Sequence, residues 1–166
     1  MLTEFLSDKK SLGILVHPTS LPGGTYCGTF GQGLIDWLAI LSRHNIRTWQ
    51  FLPLTPTDSL GSPYSSPSSF ALNPWFLDLD ELVKEGYIFR EHLSIFNKLE
   101  DANLDYFDFD IANDLSTNLG TSLFDCWINQ DEKVKAKFQS WLNNNSWVED
   151  YAIFMVLKDQ FRKSPW

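Results

Sequence analysis

The chain has 166 residues, 43% of them apolar and 15% aromatic, which suits one ordinary domain or a piece of a larger one. A formal charge of −8 without any Lys/Arg cluster argues against a nucleic-acid partner, because phosphate binding needs grouped cations. No apolar run approaches the length of a membrane span, and Met1 to Asp8 lack the basic-then-apolar order of a signal peptide.

Cys27 and Cys126 have neither metal-site nor scaffold spacing. The chain therefore reads as soluble and cytoplasmic, with two reduced thiols. Its seven Trp and thirteen Phe fit a bulky core, or stacking platforms for sugar rings.

In chain order, Leu12 to Val16 is a short apolar run stopped at His17-Pro18, as expected of a buried parallel strand. A Gly- and Thr-rich loop leads to a helix over 31–44, where Leu34, Leu38 and Leu41 recur at helical spacing beside Ile35. Asn45 suits the left-handed position that closes such a helix. Ile46 to Leu52 is the second strand, ended by Pro53. Strand, helix and strand in this order form one βαβ unit with a right-handed crossover.

Residues 53–69 hold four prolines and six serines, too broken for regular structure. Asp78 and Glu81 form a capping box opening a short helix that Gly86 closes. The pattern weakens from Arg90 to Asn129, where the acidic–aromatic alternation over 105–110 suits an edge segment or a loop. Val134, Phe138, Trp141 and Leu142 mark an amphipathic helix. Ser146 to Glu149 is a second capping box. The helix after it, over about 147–162, is apolar on more than one face, as expected of a buried helix.

The motifs are unequal in what they imply. Gly28-Thr29-Phe30-Gly31-Gln32-Gly33 matches neither glycine-rich phosphate-binding spacing and reads as a tight turn. His17 lies at the C-terminal end of the first strand, where it faces the ligand side of a parallel barrel or serves as a core histidine bonded to backbone. His44 is placed to cap helix carbonyls, and His92 to lie on the surface. Retaining glycosyl transfer needs two carboxylates about 5–5.5 Å apart. No convincing pair is present: Asp78, Asp80 and Glu81 are explained by a helix start, Asp101, Asp105, Asp108 and Asp110 fall in one acidic run, and Asp58 has no partner.

Ser62-Pro63-Tyr64 stands apart. Proline fixes the backbone there, so that a hydroxyl and a phenol ring project in set directions, the combination a pyranose recognises. A purely structural loop is the competing reading.

His17-Pro18-Thr19-Ser20-Leu21-Pro22-Gly23, Trp49 to Thr57, Ser62-Pro63-Tyr64-Ser65-Ser66 and Asn73-Pro74 resemble the opening of the 4-α-glucanotransferases, glycoside hydrolase family 77. Asp150 to Lys158 and Pro165-Trp166 resemble the segment before that family's third barrel strand. The resemblance implies residues 1–166 as the N-terminal portion of a (β/α)8 TIM barrel, with its first βαβ unit and a mainly helical insertion at about 76–146. It also implies retaining transfer of α-1,4-glucan segments without cofactor or metal, with maltooligosaccharides as partners.

In the family the serine and tyrosine of this motif help form the donor-side sugar site. That carries over to Ser62 and Tyr64, with His17 at the first strand's end as a third substrate-binding candidate. The family's catalytic carboxylates and lid lie on later strands and have no counterpart here, so no residue of this chain is assigned as catalytic. An accessory glucan site of the family has a tyrosine where this chain has Ser59-Leu60-Gly61, and Tyr106 matches at most its other half. The chain is expected to be inactive alone. The alternative is a catalytically dead glucan-binding or interaction module.

Overall fold

The computed structural model describes residues 12–24, 27–58, 60–89, 91 and 109–161, which divide into two compact units, Met1–Ser122 and Leu123–Trp166. In the first unit, β1 (Gly13–Leu15) and β2 (Thr48–Gln50) form a parallel two-stranded sheet with Ile14 opposite Trp49. The helix α1 (Gln32–Arg43) connects them. This is the expected βαβ order, though each strand is shorter than its apolar run.

Trp49 joins the sheet to α1: its ring meets that of Trp37 edge-on at 6.3 Å, and its indole Nε1 donates to the Val16 carbonyl at 2.8 Å. Asn45 takes φ 56 and turns the chain into β2, as its small polar side chain permits. Of the apolar positions on α1, Leu41 is buried while Leu38 and Ile35 are about half exposed.

Beyond β2 the chain is irregular up to two 3-10 turns, Pro63–Ser65 and Pro74–Phe76, and then α2 (Leu79–Lys84). Asp78 caps α2 by accepting from Glu81 N at 3.0 Å, and Gly86 follows the helix at φ 76, a conformation that costs glycine little. Leu21, Ala71, Trp75, Phe76, Leu79 and Ile88 are buried in this part of the unit.

Three departures from the expectations concern the helices. First, α3 (Phe109–Ile128) spans 20 residues in a stretch that showed no clear element. Its buried residues Ala112, Leu115, Leu119 and Cys126 follow a helical period. Weak helix formers between them obscure the pattern. Ser116, Thr117 and Thr121 turn their hydroxyls onto carbonyls three or four residues back, which accommodates them inside the helix.

Second, α4 (Glu132–Asn143) forms at the amphipathic stretch, but α5 (Trp147–Gln160) has no buried residue, and its Ile153 and Val156 are more than 60% exposed. An apolar surface on several sides is therefore not covered among the described residues. Third, Ser146 makes no capping bond: its φ −56 and ψ −26 are already helical, so its hydroxyl is not aimed at the next amides. In this second unit the rings of Phe124, Trp127, Phe138 and Trp141 form a chain with successive centroids 6.0, 5.8 and 6.0 Å apart. The described residues contain no helix long and apolar enough to cross a membrane.

Candidate functional site

The loop that leaves β2 is ordered mainly by its own short polar side chains. Asn73 N donates to the Leu54 carbonyl at 2.8 Å and closes the base of the loop. Inside it, one carboxylate oxygen of Asp58 accepts from Leu60 N at 2.9 Å and from Ser62 N at 2.8 Å. The Asp58 backbone in turn donates to the Ser62 carbonyl and accepts from Gly61 N, at 3.2 and 3.1 Å. Gly61, at φ 79, permits this tight return. The carboxylate that lacked a catalytic partner in the sequence thus organises the loop.

Ser62 begins the 3-10 turn: its Oγ accepts from Tyr64 N at 3.3 Å, and Thr55 Oγ1 donates to the Pro63 carbonyl at 3.2 Å. Ser68 Oγ accepts from Phe70 N and Ala71 N, and Ser66 Oγ donates to the Ser68 carbonyl. Several of the loop's hydroxyls are therefore occupied with backbone. Tyr64 is different, standing 74% exposed on the surface. Leu60, Phe70 and Leu72 of the same loop are also exposed.

His17 lies half-buried just past β1, with Phe76 edge-on to its ring at 5.7 Å. Phe76 also stacks on Phe30 at 4.7 Å, nearly parallel, and the Phe76 carbonyl accepts from Phe30 N at 2.8 Å. Burial holds the His17 imidazole below its ordinary pKa of 6.5, so the neutral ring is favoured. Its Nδ1 is buried without a hydrogen-bond partner among the described residues. The backbone-bonded form of the core-histidine reading is thus not met at Nδ1.

The segment from Gly28 to Gly33, expected to be a tight turn, is instead a pair of bends packed against the residues after His17 and leading into α1. Gly28 N donates to the Thr19 carbonyl at 2.9 Å, and a side chain at Gly28 would strike the Pro18 and Leu21 backbone. Thr29, 5% exposed, donates its hydroxyl to the Asp78 carboxylate, which lies against Gly31. Sequence reasoning missed this pair because the partners stand 49 positions apart. The cap at Asp78 was the only local sign.

Neither Cys27 nor Cys126 forms a disulfide, and burial pushes the Cys27 thiol up to about 12. Among the described residues no group of three or more His, Cys, Asp or Glu side chains could hold a metal ion.

The three candidate residues do not meet: no hydrogen bond or ring contact joins His17 to Ser62 or Tyr64 among the described residues. Nor do they line either of two clefts in the first unit. One of about 370 Å³ is bordered by Leu38, Asn45, Arg47 and Trp49. The other, about 300 Å³, lies between Phe30, Phe76, Leu82 and Tyr87. His44 uses its backbone N–H, not its ring, to cap α1. His92, Tyr106, Asp101, Asp105 and Asp108 lie outside the described residues.

The sequence model of the family described as 4-alpha-glucanotransferase matches residues 16–166. The chain is 34% identical to a Synechocystis 4-alpha-glucanotransferase and 36% identical to one from Streptococcus pneumoniae, covering 96% and 95% of this chain but 31% of each relative. The solved structure of the Streptococcus agalactiae amylomaltase in complex with acarbose superposes with a TM-score of 0.80 at 28% identity, over 94% of this chain and 31% of that one. This chain thus spans about a third of the length of these relatives.

Proposed function

We propose, from the premise that this chain belongs to the 4-alpha-glucanotransferase family, that it supplies the N-terminal part of a retaining transferase acting on α-1,4-glucans. The parent activity moves a glucan segment to the 4-hydroxyl of an acceptor glucan or glucose. This chain's part in it is a donor-side shelf formed by Ser62 and Tyr64, with His17 at the neighbouring strand exit. In this reading β1, α1 and β2 open a (β/α)8 barrel, and residues from about 76 to 146 are a helical insertion. The setting is cytoplasmic, the ligand a maltooligosaccharide, and neither nucleic acid, membrane, cofactor nor metal takes part.

The observation that carries the reading is the division of labour within one loop. Asp58 and the Ser62 cap fix the backbone before any ligand arrives, so binding need not order it. That leaves the Tyr64 ring and phenol hydroxyl free to meet a sugar by stacking and hydrogen bonding. A neutral His17 can donate to or accept from a hydroxyl without introducing charge. The −8 charge and the uncharged character of the Ser62–Pro63–Tyr64 segment agree with a neutral ligand.

The test has two arms. Titration of the chain with maltoheptaose and with acarbose, followed by tryptophan fluorescence, should give saturable binding that Tyr64→Ala weakens at least about tenfold, the loss expected for one stacked aromatic ring and its hydroxyl. Incubation with maltotriose should release no glucose, because the carboxylate pair is lacking. Absence of saturable binding overturns the shelf, and longer maltodextrins in the second arm overturn the inactivity.

A further inference from the structure

A histidine ring is ordinarily set by a hydrogen bond at one nitrogen, which fixes its tautomer and its direction. Nδ1 of His17 is buried and makes no such bond among the described residues. The backbone beneath the ring is nevertheless pinned on both sides. Val16 donates its N–H to the Gln50 carbonyl at 3.1 Å, and its carbonyl accepts from the Trp49 indole at 2.8 Å. The His17 carbonyl accepts from Ser20 N at 2.9 Å, and Pro18 is fully buried. Rotation of the side chain is what remains to be fixed.

Phe76 is placed to fix it. Its ring is 4% exposed and stands at 77° to the imidazole. Phe30 stacks on it from elsewhere, nearly parallel, and donates its N–H to the Phe76 carbonyl. The turn that carries Phe76 starts at Asn73, whose carbonyl accepts from Phe76 N at 3.2 Å. Asn73 is buried, caps Trp75 N with its side chain, and closes the base of the Tyr64 loop on the Leu54 carbonyl. One short turn thus holds both the loop and the ring.

We propose that Phe76 is the positioning residue of His17: through the turn from Asn73 to Phe76 it holds the imidazole in fixed relation to Ser62 and Tyr64. An aromatic edge orients the ring without engaging a nitrogen. With Nδ1 uncommitted neither tautomer is imposed, so Nε2 can donate to or accept from a sugar hydroxyl. A ring oriented in advance also loses less freedom when ligand binds. The proposal rests on the glucan-shelf reading above.

The test follows maltoheptaose affinity and the His17 imidazole titration by NMR in the protein and its variants. Phe76→Leu keeps apolar bulk and removes the ring. It should weaken affinity about two- to tenfold, the cost of ordering one side chain, and raise the His17 midpoint toward its ordinary 6.5. Phe76→Tyr retains the ring and should restore both. Phe30→Leu, at a residue 39% exposed, removes the backing of Phe76 and should give a smaller change of the same sign, which decides the matter if Phe76→Leu does not fold. In a His17→Ala background Phe76→Leu should cost no further affinity; a full additional loss would mean that Phe76 does not act through His17. Saturable binding and a His17 midpoint that Phe76→Leu and Phe30→Leu leave unchanged, or equal losses in Phe76→Leu and Phe76→Tyr, overturn positioning and spare the shelf. A protein that binds no maltoheptaose sinks the shelf, and the midpoints then decide whether Phe76 sets the ring.

Discussion

The two compact units of this chain are held by different kinds of interaction. In the first, much of the structure between β2 and α2 has no repeating hydrogen-bond ladder, and short polar side chains replace it. Asp58, Ser62, Ser68, Asn73 and Asp78 each accept from a backbone N–H within four residues. In the second, helices are joined by exposed rings, from Phe124 through Trp127 and Phe138 to Trp141, and neither α4 nor α5 contains a buried residue. Polar bonds of the first kind are directional and fix one conformation, whereas ring contacts at the surface tolerate several. A defined ligand shelf can be built on the first and not readily on the second.

The largest test of that contrast is at Asp78. Removing its carboxylate takes the cap from α2 and leaves the buried Thr29 hydroxyl without its acceptor. Asp78→Ala should cost about 2–3 kcal/mol in urea unfolding, about 1 for the cap and the rest for the stranded hydroxyl. Adding Thr29→Val should recover about 1 kcal/mol, because no unsatisfied donor then remains. Strict additivity of the two changes would mean the pair is not coupled.

A smaller effect should appear with pH. The folded state holds the His17 pKa below the unfolded value of 6.5 by burial, so the native state binds fewer protons than the unfolded one. The sign follows: stability is fully present above the unfolded pKa and declines as pH falls through 6.5 toward the lower folded value. His17→Phe keeps an aromatic edge for Phe76 and removes the titration. From about pH 7.5 to about pH 5, wild type should lose more stability than the variant. Parallel pH curves for the two would remove His17 from the account.

The same contrast explains what could be read in advance. Proline, glycine and side-chain caps are local signals, so β1, α1, β2, the left-handed Asn45 and the Asp78 cap were legible in the sequence. The rigid turn from Ser62 to Tyr64 was legible too, through the proline between them. Long-range partners were not: Thr29 with Asp78, and Phe76 between His17 and Phe30, depend on segments tens of residues apart. Nor was α3, where Ser, Thr, Asn and Gly diluted the apolar period. The burial expected of α5 failed for another reason: an apolar surface states a demand for cover, and α5 has no buried residue with which to meet it.

The smallest effect separates two caps inside the second unit. Asp131 is extended at φ −67 and ψ 159, and its carboxylate accepts from Val134 N at 2.8 Å. Ser146 fits the capping-box pattern better in sequence, with Glu149 three residues on, yet it is already helical, and Val148 N donates to the Asn145 carbonyl at 3.0 Å instead. Asp131→Ala should therefore cost about 1 kcal/mol. Ser146→Ala should stay within about 0.5 kcal/mol and can be slightly stabilising, because alanine is the better helix former. Helical circular dichroism through thermal unfolding measures both. Equal losses would mean that the sequence pattern governs the cap; unequal losses in this order mean that the backbone angle ahead of the helix decides which hydroxyl or carboxylate reaches an unpaired amide.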